Sequence, residues 1–117
     1  MKTVLIADDS RFMRKWLSDI LVSANYLVIE EAENGQEAVS KFKSAKPDIV
    51  LMDVTMPLKN GVAALSEIIE ICPEANVVMC SSMGQKSLIL ECLQLGAKDF
   101  IVKPYFTNLI PILRNLD

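Results

Sequence analysis

Short apolar runs alternate five times with segments of helical periodicity, and this alternation leaves the chain few architectures to choose from. Thr3–Ala7 is the first such run. From Ser10 to about Ala24, Met13, Trp16, Leu17, Ile20 and Leu21 recur at helical spacing and mark one inward stripe. Val28–Ala32 reads as a second strand. Asn34-Gly35 then opens a helix that turns Ala38, Val39 and Phe42 inward and cannot continue through Pro47. Ile49–Met52 is a continuous apolar strand ending at Asp53, and a loop with Pro57 and Asn60-Gly61 leads into a helix that stops before Pro73. Asn76–Cys80 is the fourth strand, Ser87–Leu95 the fourth helix, stopped by Gly96, and Phe100–Val102 the fifth strand. A last helix runs from Thr107 or Asn108 towards Leu116. Pro111 is tolerated there only inside the first turn, which favours Asn108 as the cap and leaves the helix short.

Strands that are apolar throughout are covered on both faces, so the sheet is parallel with right-handed helical crossovers. Five strand–helix units predict a doubly wound α/β fold: a five-stranded parallel sheet in the order 2-1-3-4-5 with helices on both faces. With 117 residues, the whole of 1–117 is expected to form one domain.

Composition removes several function classes. A net charge of −3, with 12 scattered Lys and Arg, argues against a nucleic-acid surface. No apolar run reaches the ~20 residues of a membrane span, and Asp8-Asp9 interrupts any leader-like stretch, so no membrane insertion and a cytoplasmic location are expected. Cys72, Cys80 and Cys92 lack C-x-x-C spacing and are odd in number, as befits buried thiols in a reducing compartment. The absence of histidine excludes Ser-His-Asp and Cys-His catalysis, His-ligated zinc and any phosphohistidine on this chain. A transferred phosphoryl group has to come from another molecule.

The remaining chemistry sits at strand ends. Asp8 and Asp9 follow strand one, Asp53 ends strand three, Ser81 follows strand four and Lys103 follows strand five. In an open parallel sheet, ligands bind outside the carboxyl ends of the strands where strand order reverses, here between strands one and three. Strand two lies beyond strand one, and its end offers no obvious partner. Three carboxylates at one place need positive charge. Lys103 offsets part of it, and oxygen ligands without His or Cys favour a hard, hydrated cation such as Mg²⁺. Asp53, alone at its strand end, is the candidate nucleophile towards phosphorus, with Lys103 and the Ser81 hydroxyl aimed at the phosphoryl oxygens.

Asp8-Asp9, Asp53 with Met56-Pro57 and Gly61, Ser81, and Lys103-Pro104 together resemble the signature of receiver domains, the response regulators of two-component signalling. The likeness spans essentially the whole chain. Phe12-Met13-Arg14 and Gly96-Ala97-Lys98-Asp99-Phe100 bring it nearest to the single-domain chemotaxis type. This resemblance implies a flavodoxin-like fold, Asp53 as phosphoacceptor and Asp9 as a direct Mg²⁺ ligand. It further implies that Asp8 acts mainly through water, with the Thr55 backbone carbonyl completing the metal site. Lys103 is then the phosphoryl contact, its bond to Pro104 is cis, and Ser81 and Phe100 form the switch pair. Thr55 and Met83 stand at positions that tune dephosphorylation in the family.

The implied partners are a sensor histidine kinase as phosphodonor, a phosphatase as an option, and an output protein, with the flagellar motor switch as leading candidate. A monomer is expected, one that dephosphorylates itself but turns over no metabolite. No effector domain is expected after Asp117, so output is expected through binding a partner, and the resemblance implies a surface of helix 4, strand 5 and helix 5 for it; a receiver fragment of a larger transcriptional or enzymatic regulator is the alternative. Helix four supports the surface reading, because its apolar residues leave only Ser87, Glu91 and Gln94 as a polar stripe. Phe12, at the margin of the first helix's stripe, is a candidate grip for a kinase or phosphatase.

Blander readings exist for each residue: Asp8-Asp9 as a helix cap, Asp53 as a loop acid, Lys103 as a solvated lysine, Ser81 as a polar strand end. They would all have to coincide at one pocket. A rival from another class is a small Mg²⁺-dependent phosphohydrolase with an Asp nucleophile, which needs a second acid two residues on, where this chain has Thr55. A third is an interaction module that is never phosphorylated.

Overall fold

The structure is a computed structural model that describes residues 1–116; Asp117, the last residue of the expected domain, lies outside the described residues. Five strands alternate with five helices: β1 (Thr3–Ala7), α1 (Arg11–Ser23), β2 (Leu27–Ala32), α2 (Gly35–Ala45), β3 (Ile49–Asp53), α3 (Gly61–Ile71), β4 (Asn76–Ser81), α4 (Lys86–Leu95), β5 (Asp99–Val102) and α5 (Leu109–Arg114). All strand pairs are parallel and the order is β2-β1-β3-β4-β5, as the strand–helix alternation predicts. No helix among the described residues is long and apolar enough to cross a membrane.

Period-two alternation along the strands divides the core into two layers. Leu5, Val50, Met52, Val77 and Met79 pack with Ala38, Val39 and Phe42 of α2, Ala64, Leu65 and Ile68 of α3, and Cys92 of α4. Val4, Ile6, Leu51, Cys80 and Ile101 pack with Leu17 and Leu21 of α1 and Leu109 and Leu113 of α5. The central strands β1, β3 and β4 are buried almost throughout, which is why they read as unbroken apolar runs. β2, at one edge, is only partly buried and carries a bulge that shifts its register between Val4 and Leu5 of β1.

Caps explain most helix ends. Ser10, Asn34 and Asn60 each accept a backbone N–H of the first turn, from Met13, Glu37 and Ala63. The Asp8-Asp9 dipeptide therefore does not cap α1; Ser10 does. α4 ends on Gly96, whose φ of 116° suits glycine and few other residues. α5 begins after Asn108, but the Asn108 side chain makes no capping bond, and the helix ends at Arg114 rather than near Leu116. Pro111 is its third residue, inside the first turn, where no intrahelical N–H is needed.

The inward stripe of α1 differs from the one its periodicity predicts. Trp16 is 38% exposed, its ring edge-on to Phe106 at 5.1 Å on the flank of the helix, and Met13 and Ile20 are only half-buried. Arg14 is buried instead, in step with Leu17 and Leu21 at helical spacing.

α3 approaches the end of β3 closely enough that only glycine fits at its first residue. The Gly61 amide donates to the Val54 carbonyl at 2.7 Å, and a Cβ on Gly61 would stand 1.8 Å from the Asp53 carbonyl oxygen. Gly61→Ala is expected to push the Asp53 backbone aside and lower stability by about 2 kcal/mol or more, read as a lower urea midpoint with an unchanged slope.

Candidate functional site

Strand alternation places the charged residues. Asp53 continues the face of Ile49 and Leu51, which is the α1/α5 side, and β1 and β5 deliver Asp8 and Lys103 just beyond Ala7 and Val102. β1 and β3 are neighbours with Ala7 opposite Met52, so Asp8 and Asp53 emerge side by side. The chain leaves β1 outward to β2 and returns on the other side to β3, so this is the reversal point of strand order.

The Lys103 ammonium bridges the two aspartates, with Nζ 2.6 Å from Asp8 Oδ2 and 3.2 Å from Asp53 Oδ1. Asp8 is 1% exposed and Asp53 7%, whereas Asp9 lies open to solvent. One carboxylate oxygen from each of Asp8, Asp9 and Asp53 lies within 4.8 Å of the others. The structure thus brings four of the residues singled out from sequence to one place. Ser81 is also buried, and its Oγ accepts the Met83 backbone N–H at 3.0 Å. Thr55 and Met83 are exposed. Phe100 is half-buried against the α2–α4 layer, and the Lys103-Pro104 peptide is cis, as expected.

Asp8 is held from four sides. Its N–H donates to the Ala32 carbonyl at 2.9 Å, and its Oδ1 accepts from the Ser10 N–H at 2.8 Å. Its Oδ2 accepts from Lys103, and its carbonyl accepts from Arg14 Nη1 at 2.7 Å. Arg14 Nε in turn donates to Glu31 of β2 at 2.8 Å. The end of β2, which offers no obvious partner by sequence, thus anchors the loop after β1 through Ala32 and, by way of Arg14, Glu31. Arg14 was not among the residues expected at the site; its spacing to Leu17 and Leu21 is the signal that marks it, because a charge on an inward face needs a partner.

Electrostatics at the site are poised against the carboxylates. Burial pushes the Asp53 carboxyl above its ordinary range; Lys103 draws it down, and Asp8 and Asp9 push it up again, with a net rise. Burial by itself would lower Lys103, but its hydrogen bond to Asp8 and the attraction of Asp53 outweigh that, and the ammonium is held more firmly protonated than usual. Three carboxylates face one ammonium, so the donor set, all oxygen and two-thirds buried, fits a hard divalent cation. Asp9, on the open side, leaves room for water.

On the neighbouring surface Phe12 is 72% exposed, 6.0 Å from Trp16 in an edge-to-face arrangement that continues to Phe106. The aromatic row therefore runs from α1 to the loop that carries Lys103.

The sequence profile of the response regulator receiver domain matches residues 4–113. The chain belongs to that family. Among its relatives, the chemotaxis protein CheY of Thermotoga maritima is 55% identical over 89% of this chain and 87% of its own length. CheY of Bacillus subtilis is 52% identical over 87% and 85%. The receiver domain also superposes on a chain of the CheX-CheY-BeF3-Mg²⁺ complex from Borrelia burgdorferi with a TM-score of 0.93 at 41% identity, covering 96% of this chain and 86% of that one. Both the family and the likeness to the chemotaxis type inferred from the sequence motifs hold. This receiver domain is of the CheY type, a kind of signalling protein.

The thiols stay outside this chemistry. Burial pushes Cys80, directly beside Asp53 in the β3–β4 register, up to about 12, and Cys92 is raised for the same reason. Cys80 and Cys92 are buried, whereas Cys72 is half-exposed. At pH 8 the native protein is expected to react with a chromogenic disulfide reagent at Cys72 alone, and the other two thiols only in denaturant. Fast labelling of Cys80 in the native state would contradict this packing.

Proposed function

We propose that this receiver domain is a phosphorylation-activated switch that accepts a phosphoryl group from a sensor histidine kinase onto Asp53. The observation that carries the reading is the convergence of Asp8, Asp9, Asp53 and Lys103 at the reversal point of the sheet. Asp9 and Asp53 would hold Mg²⁺ directly, Asp8 mainly through water, and the Thr55 backbone carbonyl would complete the site. When bound, Mg²⁺ supplies positive charge that lets the three carboxylates remain ionised together and offsets the charge of the arriving phosphoryl group. The Mg²⁺ and BeF3 in the Borrelia burgdorferi CheY complex support the same assignment here.

In the transfer, a carboxylate oxygen of Asp53 attacks phosphorus while the P–N bond to the kinase imidazole breaks; the nitrogen keeps the electron pair and takes up a proton. Lys103, already 3.2 Å from Asp53, follows the charge onto the phosphoryl oxygens. The Ser81 oxygen accepts from Met83 N–H, which leaves its own proton free to donate to a phosphoryl oxygen. Ser81 would move to make that bond, and Phe100 would turn inward behind it. Water later attacks phosphorus, releasing phosphate and restoring the Asp53 carboxylate. The phosphohydrolase alternative gains no support, because position 55 carries a threonine and not an acid.

Output would come from the α4/β5/α5 face of a domain taken to span 1–117. Leu90 and Leu93 are exposed on α4, and a cleft of about 480 Å³ beside β5 and α5 is lined by Phe100, Tyr105 and Pro111 among others. Phe100 thus borders both the core and the cleft, so its rotation would reshape the surface that a partner meets. The CheY likeness favours the flagellar motor switch as that partner. The exposed Phe12–Trp16 row fits the kinase or a phosphatase.

Incubation with acetyl phosphate and Mg²⁺ is expected to add the mass of one phosphoryl group to the wild type and none to Asp53→Ala, and chelation of Mg²⁺ should abolish the gain. An equal gain in Asp53→Ala would refute the assignment. Phe12→Ala is expected to slow transfer from the cognate kinase several-fold while leaving transfer from acetyl phosphate unchanged, as measured by phosphorylation time courses with both donors.

A further inference from the structure

Among the described residues Arg14 is the only buried arginine, and one of its donors is directed at a backbone oxygen of the acidic loop. Its guanidinium is a fixed fork that can serve two acceptors in set directions, and here it does so: Nη1 to the Asp8 carbonyl at 2.7 Å and Nε to Glu31 at 2.8 Å. The Asp8 carbonyl belongs to the peptide that joins Asp8 to Asp9. Holding that oxygen fixes the plane of the peptide and with it the Asp9 Cα, while the N–H of the next peptide, that of Ser10, is held by Asp8 Oδ1; between the two the Asp9 side chain has a set origin. Asp8 has three other anchors, through Ala32, Ser10 and Lys103. Asp9 is exposed, and the peptide plane before it is oriented by Arg14.

From this geometry we infer that Arg14 is a positioning residue for the metal site, aiming the Asp9 carboxylate by clamping the Asp8–Asp9 peptide. The inference rests on the Mg²⁺ reading above. Groups that orient metal ligands from behind typically change affinity by 10–100-fold when removed. The sign of the effect separates positioning from simple charge. Arg14 is a cation close to a cation site, so electrostatics alone would make its removal tighten Mg²⁺ binding. Positioning makes removal weaken it. Glu31 separates positioning from simple stapling, because Glu31→Gln removes the ion pair between α1 and β2 while leaving the guanidinium on the Asp8 carbonyl.

The test is Mg²⁺ titration by calorimetry on the wild type, Arg14→Met, Arg14→Lys and Glu31→Gln, with a urea midpoint for each. Arg14→Met is expected to raise the Mg²⁺ dissociation constant about tenfold. Arg14→Lys, which keeps the charge but lacks the fork, is expected to fold and to raise it several-fold, and it carries the test if the Met variant does not fold. Glu31→Gln is expected to change it less than about twofold, although its urea midpoint falls as well. Unchanged or tighter binding in the Arg14 variants overturns the inference while leaving the metal reading intact, as does an equal loss in Glu31→Gln. A wild type that takes up no Mg²⁺ overturns the metal reading itself, and the inference with it.

Discussion

Lys103 stands between Asp8 and Asp53, within 2.6 and 3.2 Å of their carboxylate oxygens, and most of the local architecture serves to keep that arrangement in place. Two carboxylates so deeply buried are costly unless a positive charge and directed hydrogen bonds face them. β5 brings the ammonium, and Ser10, at the start of α1, supplies a backbone N–H to Asp8. Gly61 lets α3 press against the Asp53 carbonyl closely enough to hold the end of β3. One lysine still leaves the three-carboxylate cluster with excess negative charge, a surplus that suits a hard cation.

The same fold that concentrates charge also connects it to distant surfaces. Lys103 follows β5, and Phe106, a few residues on, carries the edge-to-face contact with Trp16 of α1 and through it Phe12. Phe100, at the start of β5, packs on the α2–α4 layer and borders the cleft towards α5. A change in the charge balance around Lys103 is therefore adjacent, along one short strand, to both of the exposed apolar regions.

Much of this was legible from residue order. Continuous apolar strands pointed to a parallel sheet because only a strand covered on both faces lacks polar positions, and β1, β3 and β4 are such strands. The site was legible because an open parallel sheet gathers its strand ends at one edge: the order makes Asp8 and Asp53 neighbours, and the long Lys103 side chain reaches them from beyond β4. Less was legible where several weak preferences compete. Trp16 lies on the stripe by spacing but sits on its flank, because Phe106 offers its indole a partner at the surface. Asn108 has the composition of a cap but makes no capping bond, and α5 runs only six residues.

Sequence alone determined the alternation of elements, the strand order and the identity of the residues at the strand ends, because periodicity and chain topology are local or combinatorial properties. Only the tertiary structure decided how the acidic loop is held. Arg14, Glu31 and Ala32 come from a helix and an edge strand whose relation to Asp8 depends on a bulge in β2 and on the exact approach of α1. Hydrogen bonds require atoms within a few tenths of an ångström and in the right direction. No pattern of residue types specifies position that finely; packing does.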